Sequence, residues 1–222
     1  MIDNQKKYDF VSLEPALSAL PLKKREAGFS LIELIFSMLL TVMILGIVVM
    51  TFTSAMNTRS RESSKTDAIT STQAALNIIS REVGNSGFGL ETNGIIVGDS
   101  NSERLHFRMN TGNGDGATGA PGEDVTFYWD SASQSVVRYD AYGGGSTSGV
   151  INRVSELDFI YYNYDDVTGT YTSSLTPSST TGRVTINLKV TLPPVTGQPN
   201  GQQVKVSSDV TLRNSPYMLR QY

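Results

Sequence analysis

Glu33 is a carboxylate set at the edge of an apolar run, and no other charged residue follows it from Leu34 to Thr58. An ionisable side chain inside an apolar helix is costly and marks a functional position with a partner to be named. One partner is the positive end of its own helix; the alternative is a carboxylate that snorkels to the membrane surface. The other residues able to do chemistry are weaker. His106, the only histidine, lies in Arg104-Leu105-His106-Phe107-Arg108 on the polar side of a strand pattern. A Ser-His-Asp site would have to use it, yet no nucleophile-elbow sequence is present, so an exposed strand histidine is expected. Gly114-Asp115-Gly116-Ala117-Thr118-Gly119 fits a dinucleotide fingerprint letter by letter. It follows no apolar strand, and Pro121-Gly122 interrupts any helix after it, so it is a glycine-rich loop. Asn113, Asp115, Glu123 and Asp124 offer hard oxygen ligands of the kind calcium takes, but not at EF-hand spacing, which makes a solvated loop the expectation and no cofactor or metal is assigned. Asp165 and Asp166 are read in the same way. Tyr161, Tyr162, Tyr164 and Tyr171 with Trp129 are ordinary sheet formers, with a surface for adhesion as the alternative.

The elements that must carry these residues are sharply segregated. The chain has 39% hydrophobic and 18% charged residues, the balance of a folded protein and not of a disordered one. A net charge of −3 and a pI near 5.2 argue against nucleic acid as a partner. With no cysteine, disulfides and thiolate chemistry are absent. Leu34–Phe52 is dominated by Leu, Ile, Val, Met and Phe, and about 20 such residues span a bilayer as a helix. No second run of this kind exists, so a single crossing is expected. Lys23, Lys24 and Arg25 precede it, which places the amino terminus in the cytoplasm and everything after Thr58 outside.

Beyond Thr58 the apolar positions change period. Ile69, Thr72, Leu76, Ile79 and Val83 recur at spacings of three and four, with Ala68 and Ala75 alongside, which is one face of an amphipathic helix. One helix is therefore expected from about Ser30 to Val83, roughly 80 Å long, with Gly84 as its cap. From Asn85 the signals are β: Leu105, Phe107 and Met109 alternate with polar residues, as do Val125, Phe127 and Trp129, and Arg153–Tyr164 is rich in strand formers. Val184, Ile186, Leu188, Val190 and Leu192 alternate most clearly, and Val204, Val206, Val210 and Leu212 form the matching half of a hairpin across a Pro- and Gly-rich connection. The fold class expected is α+β, a long helix packed on antiparallel sheet.

The junction reads Lys23-Lys24-Arg25-Glu26-Ala27-Gly28-Phe29-Ser30-Leu31-Ile32-Glu33. A secretory signal would be cut after its apolar region at a small-residue site, and none follows here; hydropathy alone leaves an uncleaved signal anchor open. The order of basic leader, Gly, aromatic residue and a Glu four residues on resembles the class III signal of type IV prepilins and pseudopilins. The resemblance implies a cut by prepilin peptidase between Gly28 and Phe29 and N-methylation of Phe29. It also implies that Glu33 pairs with the amine of Phe29, its own or a neighbouring subunit's, to set register during assembly. The chain then divides into a cytoplasmic leader 1–28, a long helix 29–84 with its membrane-spanning half at about 30–56, and a β-rich domain 85–222 outside the inner membrane.

Four further stretches resemble one branch of the superfamily. Ser80-Arg81-Glu82-Val83-Gly84-Asn85-Ser86-Gly87-Phe88-Gly89 is similar to the end-of-helix segment of PilW-like minor pilins. Val154 to Tyr161, Arg183–Leu192 and Asp209-Val210-Thr211-Leu212-Arg213-Asn214 are similar to the final sheet of PilW and of pseudopilin J of type II secretion. They imply a non-enzymatic minor pilin that primes assembly at or near the tip. Its partners are the other minor pilins, the major pilin, the inner-membrane assembly platform and, before assembly, membrane lipid. A type II secretion pseudopilin and a signal-anchored periplasmic enzyme are the alternatives.

Overall fold

The computed structural model describes residues 28–219 apart from 113 and 143. The basic leader through Ala27 and the loop residue Asn113 lie outside the described residues. The chain divides into two compact units, Met1–Met50 and Thr51–Tyr222. One helix, α1, runs Leu31–Val83, the residues the change of apolar period predicts. In the first unit it is exposed on every side, with Leu, Ile, Val, Met and Phe facing outward. A window of mean hydropathy 2.6 with none of its residues buried makes it long and apolar enough to cross a membrane.

Among the described residues the second unit holds the amphipathic half of α1 and eight strands in two antiparallel sheets. The first sheet is ordered β1(Arg104–Arg108)-β2(Asp124–Asp130)-β3(Ser135–Asp140)-β4(Ser146–Ile151). The second is ordered β6(Thr170–Ser174)-β5(Val154–Asp165)-β7(Thr181–Thr191)-β8(Gln203–Thr211). A 3₁₀ turn, Val97–Asp99, precedes β1, and a short helix α2, Pro216–Leu219, ends the described chain. The fold is thus the α+β arrangement expected, with two sheets.

Alternation explains the core. Ala75, Leu76, Ile79 and Val83 of α1 meet Leu105, Phe107, Val125 and Phe127 of the first sheet and Leu157, Phe159, Val184, Ile186 and Leu188 of the second. Each large side chain so buried contributes about 1.5–3 kcal/mol. Phe107 and Phe127 stack with centroids 6.1 Å apart. Tyr161 is wholly buried and its hydroxyl donates to the Asn101 carbonyl at 2.8 Å, so this tyrosine belongs to the core and not to a surface for adhesion. The helix is also tied to the first sheet by Arg138, whose Nε donates to Glu82 at 2.8 Å.

The helix ends at Val83, but Gly84 is not its left-handed cap. The Gly84 amide still bonds back to Ser80, and the first positive φ is at Gly87, 76°. Gly87 lies against the chain as it returns: a Cβ there would meet the Thr92 oxygen at 2.5 Å, and its amide donates to the Arg108 carbonyl at 2.9 Å. A side chain at 87 is therefore refused by both φ and space.

Candidate functional site

The candidate site is the start of α1. Ser30 is the last residue before the helix, and its carbonyl accepts the first helical hydrogen bond from the Leu34 amide at 3.1 Å. Leu31, Ile32 and Glu33 fill the first turn, whose amides have no partner within a helix. Ser30 followed by Glu33 three residues on has the spacing of a capping box, in which a carboxylate reaches back toward the unpaired amides. The helix dipole adds to that attraction. The Glu33 side chain makes no hydrogen bond or ion pair with the described residues. It is open to a group outside them.

Phe29 is 84% exposed, and a Cβ built on Gly28 would meet nothing within 4 Å. The fold itself therefore sets no demand for glycine at 28 or for an aromatic residue at 29. The hydroxyls of the apolar stretch are satisfied internally: Ser37 donates to the Leu34 carbonyl at 2.8 Å and Thr41 to that of Ser37 at 2.7 Å. These polar side chains can lie in an apolar surround with their donors used.

Residues 23–49 match the prokaryotic N-terminal methylation motif. The segment is a prepilin-type signal. It indicates a type IV pilin or pseudopilin, the class of subunit that prepilin peptidase processes and that assembles into a pilus or pseudopilus. With the exposed apolar helix behind it, the signal supports anchoring in a membrane and subsequent incorporation in a filament. The match stops within α1 and does not speak for the sheets. No curated protein and no solved structure matches the chain.

The remaining sequence candidates have separate partners. Glu123 is fully buried, and its two oxygens accept the amides of Gly112 at 2.8 Å and Ala120 at 2.9 Å, closing the glycine-rich loop from within. Asp115 accepts from the Ala117 amide at 2.8 Å. Asp124 is buried and receives Arg108 Nε at 2.7 Å and lies 2.5 Å from His106 Nε2. Among the described residues no three His, Cys, Asp or Glu side chains are grouped to hold a metal ion. The loop 114–119 carries no helix, in keeping with its reading as a loop.

His106 departs from expectation. It is on the polar side of β1, yet only 14% of its side chain is exposed, because Asp99 and Asp124 close over it from the 3₁₀ turn and from β2. Its Nδ1 lies 2.8 Å from Asp99, so both ring nitrogens face carboxylates. Burial tends to raise the Asp99 carboxyl, but Arg104 and His106 outweigh it and hold it below the usual carboxylate range. Both ring nitrogens being occupied by carboxylates, His106 has the partners of a structural clamp and not those of a general base beside a nucleophile. The alternation of β1 alone does not signal this, since Asp99 comes from the 3₁₀ turn before the strand and Asp124 from β2.

Proposed function

We propose that this chain is a minor pilin of a type IV pilus, PilW-like, which helps to initiate the filament and sits at or near its tip. Residues 1–28 are the leader, 29–84 the long helix and 85–222 the exported domain. Prepilin peptidase cuts between Gly28 and Phe29, and Phe29 is then N-methylated. The observation that carries the reading is the methylation motif at residues 23–49, set directly on an apolar helix that the fold leaves uncovered. A side chain that the fold does not need, as at 28 and 29, is consistent with selection by an enzyme acting on the chain. Glu33, with no partner among the described residues, suits the amine of Phe29 on an adjacent subunit, and pairing in an apolar core fixes register because a mismatch leaves both charges uncompensated. The work is mechanical: lipid holds the subunit, the assembly platform extracts it, and helix packing against the major pilin and other minor pilins retains it.

The mature amino terminus tests this directly. Mass spectrometry should find methylated Phe29 as the first residue; an intact leader would sink the proposal. Glu33→Ala should leave the cut in place and lower incorporation into filaments. A pseudopilin of type II secretion would carry the same signal, and deletion separates the two: lost piliation and twitching for the first, lost exoprotein release for the second.

A further inference from the structure

The face that α1 turns toward the sheets changes character along its length. From Thr72 to Val83 it is filled by Leu76, Ile79 and Val83, but the preceding turns offer Ser60, Ser63, Ser64 and Ala68. Such small side chains cannot fill the space beneath them, and a groove of about 680 Å³ remains there. Its far wall is the turn from β4 to β5 and the segment after β7, which supply Ile151, Pro193 and Val195. The groove is held open from two sides. Arg61 donates to the Gly197 carbonyl at 3.0 Å, and Arg153 keeps φ at 58°, unusual for a side chain of its kind, while its carbonyl accepts the Thr191 amide at 2.8 Å.

Two arginines line this groove, Arg59 and Arg153, and neither makes an ion pair with the described residues. Ser60 and Ser63 add exposed hydroxyls to the helix wall of the groove. Asp67 is eight residues beyond Arg59, about 12 Å along the helix, so the positive end of the groove is the end nearer the apolar run. Arg59 is also the first charged residue after that run, and Met56 beside it begins the groove with an apolar surface. Cations, hydroxyls and an apolar wall thus meet where the helix sequence passes from lipid-compatible to water-compatible.

We propose that this groove holds the phosphodiester headgroup of an anionic phospholipid while the subunit is in the membrane. Arg59 and Arg153 flank the phosphate, the exposed hydroxyls of Ser60 and Ser63 donate to headgroup oxygens, and Met56 with Ile151 covers the first methylenes. The proposal rests on the reading that the chain is membrane-anchored. It adds a step to assembly, since extraction into a filament must exchange this lipid for protein or water.

Full-length protein in mild detergent, studied by native mass spectrometry after reconstitution with phosphatidylglycerol or phosphatidylcholine, tests it. One phosphatidylglycerol should be retained per chain in preference to phosphatidylcholine. Arg59→Gln with Arg153→Gln should lower retention on the order of tenfold or more, as two basic residues at a membrane surface require. Ser63→Leu, which fills the groove without altering charge, should lower it as well, with flotation on vesicles unchanged in both variants. Equal retention in wild type and variants would overturn the proposal. So would complete displacement by millimolar inorganic phosphate, which marks a site for a soluble anion, or a protein subunit recovered on the groove in place of lipid. Failure of the wild type to float with vesicles would overturn the anchored reading itself.

Discussion

Glu123 offers a quantitative test of what holds the glycine-rich loop. Its carboxylate is fully buried and accepts the Gly112 and Ala120 amides at 2.8 and 2.9 Å. A hydrogen bond to a charged acceptor contributes about 1.5–3 kcal/mol, so two set a ceiling near 6 kcal/mol. Glu123→Ala removes both, and water entering the vacated space compensates part, leaving a cost of about 3 kcal/mol. For a domain of this size each kcal/mol lowers Tm by about 2–4 °C, so a fall of about 6–12 °C is expected. Glu123→Gln keeps one acceptor and should lose about half as much. Trp129, the only tryptophan, lies on β2 just after the loop and reports unfolding by its fluorescence. The assay is run in excess calcium and again in excess chelator. If Glu123 staples the loop through its own hydrogen bonds, the loss is the same in both. A destabilisation that appears with calcium and vanishes with chelator would refute this reasoning and make the carboxylate a metal ligand with Asp115 or Asp124.

Two other changes follow from the core. Tyr161→Phe removes the hydroxyl that donates to the Asn101 carbonyl at 2.8 Å and should cost about 1–2 kcal/mol in denaturant unfolding. Burial, with Asp158 nearby, pushes the Tyr161 phenol well above its ordinary range, so above about pH 10 the unfolded chain loses a proton that the native one keeps; stability is full below that pH and falls above it, and Tyr161→Phe should flatten the alkaline limb. Gly87→Ala brings a Cβ to within 2.5 Å of the Thr92 oxygen at positive φ, so it should lower Tm more than Gly46→Ala, where a Cβ meets nothing within 4 Å.

The parts of this molecule that sequence conveys are those governed by one period at a time. The helix face from Ala68 to Val83 and the alternation from Val184 to Leu192 each bury one side, and the structure follows them nearly residue for residue. Three strands carry no such pattern. Strand β3 has adjacent Val136 and Val137, both buried, because the register against β4 shifts between them and the period of two is broken. Strands β4 and β6 lie at sheet edges, where Ser, Thr and Gly face solvent and no alternation is needed. The aminoterminal signal motif was legible because its residues are consecutive. The groove was not, since Arg59, Ser64, Arg153 and Pro193 come from distant segments and a run of serines reads as a solvated helix face. His106 was misread as exposed because its cover comes from outside its own strand, from Asp99 on the 3₁₀ turn and Asp124 on β2.

The contact between α1 and β8 has a consequence for the order in which the domain is made. Ser80 Oγ meets Ser208 Oγ at 3.0 Å, and the position of a Gly84 Cβ is 3.7 Å from Val210. Asn214 donates to the Asn85 and Ser86 carbonyls, closing a span of more than a hundred residues. The first element is therefore completed by the last strand. Contacts so far apart in sequence form slowly, because the intervening chain must first be ordered. A nascent chain delivered helix first keeps Leu76, Ile79 and Val83 partly uncovered until residue 210 has arrived. Folding is thereby timed to the arrival of β8, and a chain cut short after β7 would be left with an unfinished helix face.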